Sequence, residues 1–228
     1  MDVQTATCRQ CGHEFEYETC GSPLLANFAP RICGTCGQKA ADAELAERTA
    51  ERRLERNIPP RYADADFASF TPKSTTQRQA LEAARDHAME GVFLSGAPGS
   101  GKTHLACAAV MAGPLGSLFV STTDLLDDIR AGFDGDGQGL YERAKRAPLL
   151  ALDDLGSEAV TDWVRDRLYV LLNTRWNNSA PMIVTTNCAP RVITERIGKA
   201  GVSRLAMCRH RIDITGAPDG RRGLQVAS

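Results

Sequence analysis

The stretch GAPGSGKTH, Gly96 to His104, decides the fold. It carries the spacing Gly96-x-x-x-x-Gly101-Lys102-Thr103, follows the apolar run GVFLSG (91–96) and opens an alanine-rich helical pattern over 102–112. A strand, a glycine turn and a helix in that order wrap backbone N–H groups around phosphates at a helix N-terminus, where the dipole favours anions. The pattern places Lys102 at the β- and γ-phosphates and the Thr103 hydroxyl at Mg²⁺. The nucleotide-contacting set expected from it is Gly96, Ala97, Pro98, Gly99, Ser100, Gly101, Lys102, Thr103 and His104.

Four further short apolar runs follow: SLFVST (117–122), PLLALDD (148–154), PMIVTTN (181–187) and HRIDIT (210–215). Helical patterns lie between them, at about 75–90, 102–112, 123–131, 139–146, 161–178 and 191–200. Alternation of this kind predicts an α/β fold, a parallel five-stranded sheet with helices on both faces. The run LLALDDLG ends in two carboxylates. Asp153 suits the Mg²⁺-associated acid at a strand tip. Asp154 stands where many ATPases carry the Glu that orients attacking water, and it is one methylene shorter. Asn187 closes its strand as a polar group able to position that water, the sensor 1 role.

These motifs, in this order, resemble the AAA+ ATPases, and more narrowly the bacterial replicative helicase loaders of the DnaC/DnaI type within the IstB-like group. The resemblance covers roughly residues 58–222. It is carried by IPPRYADADFASF (58–70), LDDLGSEAVTDWVRD (152–166), TTN (185–187), GVSRL (201–205) and DITGAPDGRR (213–222). It implies an ATPase that hydrolyses ATP to ADP and phosphate with Mg²⁺, slowly without DNA or partner. It assigns Lys102, Asp153, Asp154 and Asn187 to hydrolysis, Arg204 as an arginine finger acting on a neighbouring subunit, and Arg221 (Arg222 nearly as well) as sensor 2. Implied partners are a DnaB-type replicative helicase, single-stranded DNA and further copies of the chain in the ATP state. Phe133 and the trio Thr161, Asp162 and Trp163 fall where such loaders touch DNA. For Trp163, a core place beside Val164, Leu168, Leu171 and Leu172 is the competing reading.

The net charge of −1 gives no global affinity for nucleic acid, but residues 191–222 hold eight basic side chains against three acidic ones. Such a cluster is either a phosphate-facing surface or a solvated face. No apolar run approaches the roughly 20 residues that span a bilayer. The first residues show neither the basic nor the apolar part of a secretory signal, so a cytoplasmic protein without membrane contact is expected. Eight cysteines in that setting point to metal or buried thiols rather than disulfides.

Cys8-x-x-Cys11 and Cys33-x-x-Cys36 form two knuckles that read as a four-thiolate zinc ribbon, a closed structural site. Cys20 and His13 are alternative ligands, while Cys107, Cys188 and Cys208 read as buried thiols. The ribbon is acidic (Glu14, Glu16, Glu18), which favours a protein partner. The expected division is a zinc-ribbon partner-binding domain (1–38), a linker helix (39–57) and the AAA+ core (58–228), with ATP, Mg²⁺ and Zn²⁺ as bound groups. Two other functions compete with the loader: a transposition-helper ATPase of the IstB-like kind and a slow-hydrolysing nucleotide switch. A small-molecule kinase fits poorly, because no substrate lid follows the fifth strand. The division makes a paired prediction. Lys102→Ala should abolish ATP-dependent function with metal content unchanged, and Cys33→Ser should unfold the ribbon while ATP binding survives. Metal analysis and nucleotide binding on both variants check it.

Overall fold

The computed structural model describes residues 2–19, 30–131, 139–157 and 161–214. The chain divides into two compact units, Met1–Glu51 and Arg52–Ser228.

In the first unit, β1 (Asp2–Thr7) pairs antiparallel with β2 (Glu14–Thr19), with Thr7 opposite Glu14. The connecting turn holds Cys8 and Cys11 and closes through Cys8 N–H to His13 O (2.8 Å) and Gly12 N–H to Cys8 O (2.9 Å). Helix α1 (Gly34–Glu55) starts earlier than the 39 expected, because the second knuckle is its first turn: Gly37 N–H already reaches Cys33 O at 2.9 Å. Cys36 is the helix's buried residue, and Leu45 and Leu54 stand in solvent. Three of the unit's buried side chains, Cys8, Cys33 and Cys36, form one cluster with Phe15 packed against it. A core that small contributes little burial energy by itself.

The second unit runs α2 (Thr75–Asp86), β3 (Val92–Gly96), α3 (Lys102–Ala112), β4 (Leu118–Ser121), α4 (Thr122–Arg130), α5 (Leu140–Arg146), β5 (Leu150–Asp153), α6 (Asp162–Asn177), β6 (Met182–Thr186), α7 (Pro190–Arg204) and β7 (His210–Ile214). The five strands lie in the order β4-β5-β6-β3-β7, and all are parallel. Apolar residues alternate between the two faces, as the pleat demands. Leu118, Val120, Leu150, Leu152, Met182 and Val184 join one core with α4 to α7. Phe119, Ala151, Ile183, Val92 and Leu94 join the other with α2 and α3. Sheet and helices therefore stack in three layers, as the strand–helix alternation predicts. β3 and β5 sit next to β6, so the ends of these three strands bring the glycine loop, the two aspartates and Asn187 together. No helix among the described residues is long and apolar enough to cross a membrane.

One buried cation ties this unit together. Arg175 on α6 is fully buried and donates to Ala144 O (2.7 Å), Ala147 O (2.9 Å) and Pro181 O (2.6 Å). It caps the end of α5 and holds the approach to β6. Burial pulls its guanidinium down to about 10. Arg175→Leu strands Ala144 O and Ala147 O without a donor, while Pro181 O keeps Leu150 N–H at 3.3 Å, at a cost of about 1–3 kcal/mol for each carbonyl left dry. Denaturant unfolding should show a loss of about 2 kcal/mol or more.

Candidate nucleotide and metal sites

The glycine loop between β3 and α3 is the floor of a cavity of about 510 Å³. Gly99 and Gly101 have φ of 79° and 97°, a left-handed backbone that suits glycine. At Gly101 there is a second reason: a Cβ would lie 2.4 Å from Phe70 Cε2. Lys102 opens α3 and is only 5% exposed. Its ammonium donates to Gly96 O (2.8 Å), Ala97 O (2.9 Å) and Asn187 Oδ1 (2.8 Å), with Ser100 Oγ further off at 3.3 Å. Three hydrogens thus meet three close acceptors.

Beside the lysine, the two aspartates at the end of β5 are held by β6. The Thr103 hydroxyl donates to Asp153 Oδ2 (3.1 Å), and the Thr185 hydroxyl donates to Asp153 Oδ1 (2.5 Å). The same Thr185 oxygen accepts from Asp154 N–H at 2.9 Å. Asp154 has φ of 56°, and its Oδ1 accepts from Asn187 Nδ2 at 2.5 Å. Burial raises the Asp153 carboxyl above the ordinary range, opposed by the two hydroxyl donors. A cation near both Thr103 Oγ1 and Asp153 would offset that burial, which is the donor set Mg²⁺ takes in such loops.

The structure brings together the sequence-selected set from Pro98 to His104 with Asp153, Asp154 and Asn187, all lining this cavity. Gly96 and Ala97 reach it through their carbonyls on Lys102. His104, also in the cavity wall, donates from Nε2 to Asp66 O at 2.9 Å, and its ring lies 5.5 Å from Phe70. Arg204 does not line the cavity. Its Nε donates to Asn173 Oδ1 (2.8 Å) and its guanidinium lies 5.6 Å from the Trp176 ring. Trp163 is 38% exposed, off the buried face of Val164, Leu168, Leu171 and Leu172, with the Arg130 guanidinium 5.6 Å from its ring. Thr161 is the cap of α6, accepting from Val164 N–H at 3.2 Å, and Asp162 pairs with Arg165 at 2.8 Å. Phe133, Arg221, Arg222 and Cys20 lie outside the described residues.

Sequence reasoning passed over Thr185, which braces both aspartates, and over Arg61, Tyr62, Lys73 and Gln77, which complete the cavity wall. Gln77 Nε2 donates to Ser100 O (3.0 Å), coupling α2 to the glycine loop. The TTN and IPPRY stretches were visible in the sequence, but which of their side chains face the loop depends on contacts across long chain separations.

In the N-terminal unit, the sulfurs of Cys8, Cys11, Cys33 and Cys36 all lie within 4.8 Å of one another. Cys11 and Cys33 are 3.8 Å apart, near the ~3.8 Å edge of a tetrahedron with Zn–S bonds of about 2.3 Å. Backbone donation, first from Cys33, draws the Cys8 thiol down to about 6, while the Cys11 and Cys33 thiols push Cys36 up to about 12. Four thiols this close cannot all ionise without a cation among them, and the donor set fits Zn²⁺. His13 is not part of the converging group. Cys107 and Cys208 are buried thiols, and Cys188 is half-buried with its sulfur 3.2 Å from Gly156 O.

With this geometry in place, comparison with known proteins decides the family. The profile for IstB-like ATP binding proteins matches residues 42–202. This chain belongs to that family. An ATP-binding protein of an insertion sequence from Mycobacterium tuberculosis is 33% identical over 164 residues, covering 67% of this chain and 65% of its own length. The replicative helicase loader DnaC of Escherichia coli is 21% identical over 187 residues, 76% of each chain. Among solved structures, the DnaC helicase loader superposes with a TM-score of 0.61 at 28% identity, over 68% of this chain and 99% of that one. DnaI does so at 0.58 and 23% identity, over 68% and 94%, a likeness of fold. The family is an AAA+ ATP-binding one, and this chain is similar both to a helicase loader and to an insertion-sequence protein.

The raised Asp153 carboxyl has a thermal consequence. A carboxyl that prefers its proton in the folded state carries a stability that is lost as pH rises through its folded pKa. Asp153→Asn should therefore melt higher than the parent above neutrality without nucleotide or Mg²⁺. The gap should close as pH falls into the carboxylate range. Melting curves across pH check both.

Proposed function

We propose that this protein is an ATP-dependent loader that binds a hexameric replicative helicase and delivers it to single-stranded DNA. The observation that carries the reading is the 99% coverage of the DnaC loader structure: that whole ordered core has a counterpart here. The hairpin and all four clustered cysteines lie before the family match begins at residue 42, and so are free to serve as an added grip. Its acidic hairpin (Glu14, Glu16, Glu18) suits a protein partner better than DNA. Zn²⁺ held by Cys8, Cys11, Cys33 and Cys36 would give that unit the stability its small core lacks.

In the core, Lys102 is the phosphate-facing cation, and Thr103 with Asp153 holds Mg²⁺, which screens the phosphate charge when bound. Asn187 and Asp154, already hydrogen-bonded to each other, orient the attacking water. The shorter Asp154 side chain makes this a slow ATPase. Arg204, braced by Asn173 and Trp176 away from its own cavity, is a finger for the neighbouring copy's nucleotide. A finger used in that way requires self-association in the ATP state.

The second reading is a helper ATPase for a transposase, favoured by the 33% identity to the insertion-sequence relative. Native mass of the protein mixed with the replicative helicase of its own source, with and without ATP, separates the two. A stoichiometric complex that Cys33→Ser destroys supports the loader. No complex under any nucleotide condition overturns it in favour of the helper. Arg204→Ala should keep nucleotide affinity but lower turnover by roughly a thousandfold.

A further inference from the structure

Outside the cavity and the cysteine cluster, one more group of metal-ligating atoms converges among the described residues. It consists of His87, Glu90 and His210. Glu90 ends a single 3₁₀ turn (Ala88–Glu90) between α2 and β3, and His87 is the residue that precedes it. Residues three apart eclipse in such a turn, so both side chains leave on one side. His210 is the first residue of β7, and the parallel register sets it opposite Val92, two residues past Glu90.

The backbone that presents these side chains is fixed. His87 N–H donates to Ala83 O (3.0 Å), Glu90 N–H to His87 O (2.9 Å) and His210 N–H to Gly91 O (3.1 Å). Gly91 is the hinge of this arrangement: its φ is 82°, and a Cβ there would meet Met207 O at 2.6 Å. The strands are thus close enough only with glycine at this point. The side chains meet in turn. His87 Nδ1 lies 2.8 Å from Glu90 Oε1, His210 Nε2 lies 3.2 Å from Glu90 Oε2, and the three ligand atoms lie within 4.8 Å of one another.

We propose that His87, Glu90 and His210 form a second metal site, for a divalent transition ion of the Zn²⁺ class. Two imidazoles and one carboxylate suit such an ion better than Mg²⁺, which prefers oxygen donors alone. The rings stack at 4.2 Å with planes only 10° apart, so one ion cannot lie in both ring planes as they stand. One imidazole must turn about its last side-chain bond. The side chains are 43% and 30% exposed, which leaves room for the turn without opening a void. Each neutral ring then carries its proton on the far nitrogen and offers a lone pair from the atom now facing Glu90. The remaining coordination positions fall to water.

The site is distinct from the phosphate cavity. β3 is five residues long and enters the glycine loop at its other end, so the ion stands roughly 15 Å from the loop at ~3.3 Å per residue. A bound ion links the turn before β3 to the edge strand β7. It therefore clamps the strand pair β3–β7 from the end opposite the nucleotide.

The test is Co²⁺ binding to the full chain by equilibrium dialysis with absorbance, in excess Mg²⁺ to keep Co²⁺ from Thr103 and Asp153. The parent chain should bind one equivalent more than His87→Ala or His210→Ala. The sulfur-to-cobalt charge-transfer band of the cysteine cluster should be the same in all three. Loss of outer-shell partners already weakens metal sites by about 10–100-fold, so loss of a ligand should weaken this one by more than about tenfold. If either histidine variant fails to melt cooperatively in chelator, Glu90→Gln, which keeps the shape and loses the charge, carries the comparison. Equal cobalt content in parent and variants overturns the proposal, as does an extra equivalent that survives removal of both histidines. Either result would leave Glu90 as a hydrogen-bonded bridge between two imidazoles.

Discussion

A lysine ammonium held at 5% exposure is the constraint on which the rest of the core turns. An ion so placed must spend each of its three hydrogens on a fixed acceptor. Here the acceptors come from the end of β3, the glycine loop and the end of β6. These can meet only if β6 lies beside β3 in the sheet, which is the order found. The left-handed glycines, the Phe70 ring over Gly101 and the Gln77 amide on Ser100 O then fix the loop that the ammonium holds.

The acidic half of the cavity is built on the same principle. Asp153 is costly to bury as an anion, and two hydroxyls, from α3 and β6, share the burden. Thr185 does more than solvate it. One hydroxyl group donates to Asp153 and accepts from the backbone of Asp154, so β6 braces both aspartates at the end of β5. Asn187 then joins Asp154 to Lys102, closing a chain of polar contacts from one end of the site to the other. A proton or cation change at one member is felt by its neighbours through direct contact.

The N-terminal unit has the opposite economy. Its buried cluster is made mostly of sulfur, with one aromatic ring against it. The ATPase core has two apolar faces and a buried arginine that closes three carbonyls. One unit therefore has four converging thiols, a donor set that suits a metal, in place of a large core, while the other leans on hydrocarbon and hydrogen bonds.

Much of this was legible in the sequence, for a physical reason. Strands and helices bury apolar residues at their own periods, so the five runs and the intervening helices lie close to where they are found. A glycine loop, paired carboxylates and paired Cys-x-x-Cys knuckles are local patterns, each dictated by chemistry within a few residues. The β1–β2 hairpin and the helical start at Gly34 were less visible, because so small a unit shows little periodicity. For Trp163, only packing could set aside a place in the core: α6 turns its leucines inward and leaves the tryptophan exposed beside Arg130. Thr185, Gln77 and the His87–Glu90–His210 cluster could not have been chosen from the sequence. Their partners lie far along the chain, and strand order and register alone bring them within hydrogen-bonding distance. Local chemistry wrote the motifs, while the parallel pairing of β3 with β6 and β7 decided which distant polar groups those motifs would face.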